Sequence, residues 1–141
     1  MSLSLADRVA HALVDLTPDH PNALPGLRPL YANALVFRDP IQVAHGLDAF
    51  VALNKRLLRR MRRLEWKIVS TRGDASEAFV EWVMLGAPKL GPSIEVNGVS
   101  RVLARDGLIY DQRDYWDMGE MFASSVPGGQ KILQVLRAPF A

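Results

Sequence analysis

Apolar residues recur at helical spacing in the first part of the chain. Over residues 4–16, and again over 47–62, they return every three or four positions, and Ser4 before the first stripe is a suitable N-cap. A loop with three prolines follows the first stripe. A shorter helix is expected at 23–33, before an apolar strand at 34–39. The pattern therefore predicts three N-terminal helices, with one strand before the third.

The second half of the chain alternates apolar and polar residues, which is the pattern of half-buried strands. Tight turns at Gly73-Asp74 and Asp106-Gly107 separate the alternating runs, and no helical stretch interrupts them between 64 and 117. After them, residues 118–141 read as a short helix, a Pro-Gly-Gly break and another short amphipathic piece. Helices followed by antiparallel strands predict an α+β fold, with helices on one face of a curved sheet. The 141 residues suit a single domain spanning 1–141.

Charge is unevenly distributed along the chain. The segment Lys55 to Arg63, "KRLLRRMRR", holds six basic residues and no acid, and the rest of the chain carries a net charge of −4. On an amphipathic helix these side chains lie on the solvent side. Because no aromatic residues interleave with them, a solvated helix face is favoured over a nucleic-acid site.

Several kinds of function have no sequence signal. The chain has no cysteine, which excludes disulfides and thiolate chemistry. The three histidines lack metal-ligand spacing, and no phosphate-binding or dinucleotide-binding glycine motif occurs, so neither metal nor cofactor is predicted. No long apolar run or signal-peptide pattern occurs, so a cytoplasmic protein without membrane contact is expected.

Two acids stand at positions where chemistry is conceivable. Asp39 ends an apolar strand and precedes Pro40, so it is either a turn residue or a base at the mouth of a pocket. Asp114 alternates onto one strand face with Gln112 and Trp116. Polar groups on a covered face need partners or water, and a partly wet cavity supplies both. The alternative is that Asp114 pairs with an arginine of a neighbouring strand.

The segments "YANALVFRDP", "GLDAF", "RVLARDGLIY" and "RDYWD", in this order, resemble the nuclear transport factor 2-like superfamily in its SnoaL-like branch. The resemblance covers about residues 4–122. It implies a cone-shaped barrel, in which three N-terminal helices pack on a strongly curved, mainly antiparallel sheet around a deep pocket. It also implies a homodimer formed through the outer face of the sheet, here the face with Val99, Arg101, Leu103 and Tyr115.

Two enzyme members of the superfamily suggest roles for individual residues. Similarity to ketosteroid isomerase implies that Asp39 is the general base, with Ser100 at the position of that enzyme's second acid. Similarity to limonene epoxide hydrolase implies that Asp114 is the basic carboxylate, with Trp82 and Met84 where that enzyme has an arginine and an aspartate. Neither catalytic set is complete, but both leave an acid in one apolar cavity.

A carboxyl group in such a cavity has its pKa raised by desolvation, and a second acid raises it further. We therefore expect cofactor-free acid/base chemistry (isomerase, cyclase or hydrolase) on a small apolar molecule with a polar handle, with Asp39 and Asp114 as catalytic residues. The alternative is a non-catalytic module for ligand binding or protein assembly. The predicted ligand-binding residues are Phe37, Trp66, Trp82, Met84, Ser100, Tyr110 and Trp116.

Overall fold

Six strands form one mixed sheet in the computed structural model, which describes residues 2–140. The strands are β1 (Tyr31–Arg38), β2 (Val43–His45), β3 (Met61–Gly73), β4 (Glu77–Pro88), β5 (Ile94–Arg105) and β6 (Leu108–Trp116). Their order is β2-β1-β6-β5-β4-β3, and the β1–β6 pair is parallel while the other pairs are antiparallel. The sheet is not closed, so the implied barrel is an open sheet with β2 and β3 at its edges.

The helices within residues 2–140 are α1 (Leu5–Asp15), α2 (Leu47–Arg60), α3 (Met118–Ser125) and α4 (Gly129–Arg137). The α+β class is thus confirmed, as is the predicted short helix of the tail; the amphipathic piece after the Pro-Gly-Gly break forms α4. Ser4 caps α1 as expected, because its Oγ accepts the Asp7 N–H at 3.1 Å. No helix of residues 2–140 has the length and apolar character that crossing a membrane requires.

The predicted helix at 23–33 is wrong. Turns occupy this region up to a short 3-10 helix at Arg28–Leu30, and β1 begins at Tyr31, three residues before the expected strand. Pro25 and Pro29 lack the N–H that an α-helix needs. Ala23, Leu27 and Leu30 are buried all the same, so their helix-like spacing reflects a chain of packed turns.

Helix α2 ends two residues earlier than predicted. Met61 already has extended backbone and pairs with Pro88 of β4, so the chain passes from helix to strand without a loop. Arg62 and Arg63 therefore belong to β3. The continuous run of basic residues does not mark this boundary, because charged side chains occur on the exposed side of a helix and of a strand alike.

A β-bulge interrupts the alternation of β6. Leu103 of β5 pairs with Asp111, but the next residue, Ala104, pairs with Ile109, so β6 holds one residue more than its partner. Ile109 and Gln112 are consequently both buried, although they are three positions apart. Residues on the two sides of the bulge do not follow one period-two pattern.

The core lies between the inner face of the sheet and helices α1 and α2. Alternate residues of β4 and β5 face inward and are buried, including Val80, Trp82 and Val102, while Phe37 comes from β1. Val9 of α1 and Phe50 of α2 cover them. This packing leaves a space between α2, α3 and the sheet, and that space is the candidate site.

Candidate functional site

A cavity of about 340 Å³ lies between α2, α3 and the inner face of the sheet. This volume is near the lower end of the range typical for small-molecule sites, roughly 300–1,000 Å³. Its wall is mainly apolar and aromatic. Among the predicted site residues, those that line it are Phe37, Asp39, Trp66, Trp82, Met84, Asp114 and Trp116.

Two tryptophans in the cavity wall are held in fixed orientations. The rings of Trp66 and Trp82 meet edge to face, with centroids 5.1 Å apart. Trp66 donates its indole N–H to the Leu16 carbonyl at 2.9 Å, and Trp82 donates its own to Ser100 Oγ at 3.0 Å. Because both indole N–H groups are hydrogen-bonded, the two rings are held in place in the cavity wall.

Ser100 and Tyr110 do not line this cavity. Ser100 is fully buried behind the wall, between Trp82 and Asp114, and serves as a support. The expectation for Tyr110 is wrong, because the β6 bulge turns its ring to the other face of the sheet. There it lies against the Arg105 guanidinium, whose carbon is 4.7 Å from the ring centroid.

Asp114 is a half-buried carboxyl in the cavity wall. Desolvation raises its pKa to about 6, and the nearby Asp39 charge adds to this, while hydrogen bonds from Ser100 and Gln112 act in the opposite direction. The Gln112 contact runs from Nε2 to Asp114 Oδ1 at 3.0 Å. Among residues 2–140 no arginine forms an ion pair with Asp114; Arg101 pairs instead with Glu77.

A second polar group stands behind Gln112. The Tyr31 hydroxyl donates to Gln112 Oε1 at 2.6 Å, so a relay runs from Tyr31 through the amide to Asp114. Burial raises the pKa of Tyr31 well above its usual range, and the Asp114 charge adds to the effect. Tyr31 is therefore a permanent donor. Tyr31 lies in a segment that was predicted to be helical and was therefore not predicted as a site residue; the strand-like run from Tyr31 to Phe37 was the available signal.

Asp39 is a turn residue that also borders the cavity. Its Oδ1 accepts the backbone N–H groups of Ile41 at 2.8 Å and Gln42 at 3.0 Å, which makes it the capping residue of the turn between β1 and β2. Its side chain also lines the cavity. One carboxylate oxygen thus holds the turn, and the residue also forms part of the cavity wall.

Helix α2 contributes residues that the sequence analysis did not assign to a site. Asn54, Arg56 and Arg60 line the cavity, together with the apolar Leu53 and Leu57. Asn54 is buried and donates Nδ2 to the Phe50 carbonyl at 3.0 Å, whereas the two arginines are exposed at the rim. Their spacing of four residues was the signal that could have placed both on one face.

Asp39 and Asp114 are also accessible from a second side. An open groove on the surface, between the β1–β2 turn and the start of α3, is lined by both acids and by Arg38, Trp116 and Met118. Residues Asp39 and Asp114 therefore border both the cavity and the open groove.

The three histidines lie away from the cavity. His11 lines a small groove beside α1, His20 lies 3.4 Å from Asp15, and His45 is exposed on β2. Among residues 2–140, no three histidine, aspartate or glutamate side chains are close enough together to hold a metal ion.

The order of elements and the pocket agree with the family resemblance. A sequence comparison shows the family to which the chain belongs. A model of the SnoaL-like domain matches residues 20–112, more than half of the chain. The chain belongs to the SnoaL-like domain family. The match includes Asp39 and ends two residues before Asp114. No curated protein sequence matches this SnoaL-like domain significantly.

Solved structures share the fold of this SnoaL-like domain at low sequence identity. A putative SnoaL-like polyketide cyclase from Jannaschia sp. CCS1 has a TM-score of 0.71 and 18% identity, over 87% of this chain and 93% of that one. A protein with a ketosteroid isomerase-like fold from Catenulispora acidiphila, in complex with trimethylamine, has a TM-score of 0.73 and 19% identity, over 86% and 94%. An LEH-like epoxide hydrolase from M. tuberculosis has a TM-score of 0.71 and 20% identity, over 96% of both chains.

Proposed function

We propose that this SnoaL-like domain carries out acid/base chemistry on a small, mostly apolar molecule bound in the cavity, with Asp114 as the proton-transfer group. The observation that carries the proposal is the position of Asp114. Its carboxyl borders an aromatic cavity, and desolvation raises its pKa to about 6. A group with a pKa near the working pH is efficient in proton transfer, since it is ionised enough to accept a proton and basic enough to hold it.

Asp114 is a better base in this proposal than Asp39, which reverses the order of preference from the sequence. Oδ1 of Asp39 already accepts two backbone N–H groups, so this oxygen is engaged in holding the β1–β2 turn. Asp39 then acts on the reaction through its negative charge, which contributes to the raised pKa of Asp114. The two carboxyl groups thus have different environments and different roles.

Similar folds agree with this class of chemistry but do not select a reaction. The solved relatives include proteins described as a polyketide cyclase, an isomerase and an epoxide hydrolase. Trp82 and Met84 line the cavity as apolar groups. The proposed substrate therefore presents an apolar surface to this wall and an acidic proton, or a water molecule to be activated, to Asp114.

The experiment uses a panel of small apolar ketones and epoxides, followed by NMR in deuterated water. Deuterium entering next to a ketone, or opening of an epoxide, reports a base in the cavity. We expect turnover that rises with pH through about 6 and is lost in Asp114→Asn. The matched control is Asp111→Asn, three residues away on the same strand and ion-paired with Arg38 outside the cavity.

Two results would reject catalysis by Asp114. One is turnover that Asp114→Asn leaves unchanged. The other is binding of panel members at the cavity-lining tryptophans with no turnover of any of them. The second result favours the alternative function, a ligand-binding module that uses the same cavity without chemistry.

A further inference from the structure

The inner face of α2 changes character along its length. Leu53, Asn54, Arg56, Leu57 and Arg60 all line the cavity, at the spacing that places residues on one side of a helix. From Leu53 to Arg60 this face extends about 10 Å along the axis. It begins as an apolar and amide surface and ends as two guanidinium groups at the rim.

Neither guanidinium has an acidic partner within residues 2–140. The arginines that form ion pairs there are Arg28, Arg38, Arg101 and Arg137. Arg56 and Arg60 stand one turn apart in a segment with six bases and no acid, an arrangement that repels and slightly weakens a helix. The helix dipole accounts for a base in the last turn, such as Arg60, but Arg56 lies a full turn earlier.

We propose that the molecule bound in the cavity carries an anionic group, which Arg56 and Arg60 hold at the rim. This inference rests on the proposed function and narrows its substrate to an apolar body with a carboxylate or similar anion. Arginine suits the task, because its planar guanidinium donates two parallel hydrogen bonds to a carboxylate. Asp39 and Asp114 repel the same anion, so the ligand enters with its apolar end towards them.

The test compares two ligands of nearly equal shape, 4-phenylbutanoate and its neutral amide, by calorimetry and by NMR shifts of the tryptophan indole N–H groups. At low ionic strength we expect the carboxylate to bind about tenfold more tightly than the amide, and added salt to reduce the difference. In the double variant Arg56→Gln/Arg60→Gln, the two ligands bind equally.

The matched control is Lys55→Gln/Arg59→Gln. It removes the same charge at the same spacing from the same helix, but neither residue lines the cavity. We expect this control to retain the preference for the carboxylate. Loss of the preference in both double variants, or equal binding of the two ligands to the native protein, overturns the rim site and leaves Asp114 chemistry intact. Absence of indole shifts with both ligands also overturns the rim site, because a molecule with an apolar body and a carboxylate then does not occupy the cavity; turnover of the ketone and epoxide panel tests Asp114 separately.

Discussion

At the scale of single residues, the protonation of Asp114 depends on which way an amide faces. Gln112 can present either oxygen or nitrogen to the carboxyl, and the two choices favour opposite protonation states. Tyr31 decides between them, since its hydroxyl donates to Oε1 and leaves Nε2 to donate to Asp114. Tyr31 thus acts on the candidate base without touching it.

Tyr31→Phe should therefore raise the pKa of Asp114 above its native value of about 6. Without the hydroxyl, the amide is free to turn its oxygen to Asp114, and only the protonated acid can donate to that oxygen. Carbon-detected NMR titration of the aspartate carboxyls measures the change. Tyr110→Phe, on the outer face, is the control and should leave the titration as it is. A lower or unaltered pKa in Tyr31→Phe contradicts the relay.

The raised pKa of Asp114 also predicts how stability depends on pH. The Asp114 carboxyl binds its proton more tightly in the folded protein than in the unfolded chain, where its pKa is near 3.8. The stabilisation of the folded state by this protonation is therefore fully present below pH 3.8 and is lost as the pH rises through about 6. The loss is roughly 2 kcal/mol, allowing for water that reaches the group from the cavity.

Asp114→Asn removes this dependence. We expect its free energy of unfolding to gain roughly 2 kcal/mol relative to the native protein between about pH 4 and pH 8. Urea unfolding across this range measures the gain, with Asp19→Asn in the exposed loop after α1 as the control. A difference that is constant with pH would show that the Asp114 carboxyl has the same affinity for protons in both states.

Much of the site could be predicted because strand residues alternate. Trp82 and Met84, like Asp114 and Trp116, are two positions apart and face the same way, as expected. Tyr110 could not be placed, because one extra residue in β6 reverses its face and nothing in the local composition marks the bulge. Tyr31 was not predicted because the segment before it was predicted to be a helix. Successive tight turns bury apolar residues at the same three- to four-residue spacing as a helix does.

At the scale of elements, the packing of β5 beneath the cavity depends on a glycine, which has no side chain. Gly98 is on the inward face of β5, opposite Trp82 of β4, and the Trp82 ring occupies the space where a Cβ would be. The backbone of Gly98 has a conformation that any residue adopts, so close packing, and not the backbone, requires glycine here. The ring can thus lie flat enough for its N–H to reach Ser100.

Gly98→Ala should displace Trp82 and cost about 1–3 kcal/mol of stability, the usual cost of overpacking. The Trp82–Ser100 hydrogen bond should weaken, and the cavity wall should change shape. Urea unfolding measures the first effect, and the indole N–H shift of Trp82 the second. Asn97→Ala, whose side chain is exposed on the same strand, is the control. Native-like stability with an unmoved indole resonance would contradict the packing argument.

At the scale of the whole molecule, the outer face of the sheet has no cover within residues 2–140. Tyr115 and Phe79 are exposed there, Val99 is half-buried, and Arg101 is held by Glu77 through contacts of 3.0 and 2.6 Å. A face that mixes aromatic and aliphatic groups with ordered charges has the character of a moderately polar interface.

We therefore expect a homodimer formed through this face. Tyr115→Glu should shift the molar mass in solution from dimer to monomer, because it replaces an aromatic contact of this face with an unpaired charge. Light scattering after size-exclusion chromatography measures the mass at micromolar concentration. Leu90→Glu, in the exposed β4–β5 loop, is the control and should remain dimeric. A monomeric native protein would refute the expectation.

The two-sided exposure of Asp114 has a kinetic consequence. A ligand that fills the cavity covers one side of the carboxyl and leaves the open groove on the other. In the proposed reaction, a proton that Asp114 takes from the ligand can then pass to bulk water through the groove while the ligand still occupies the cavity. We therefore expect Asp114 to lose this proton before the product leaves the cavity. Buffer molecules in the groove should exchange protons with Asp114 even in the liganded protein.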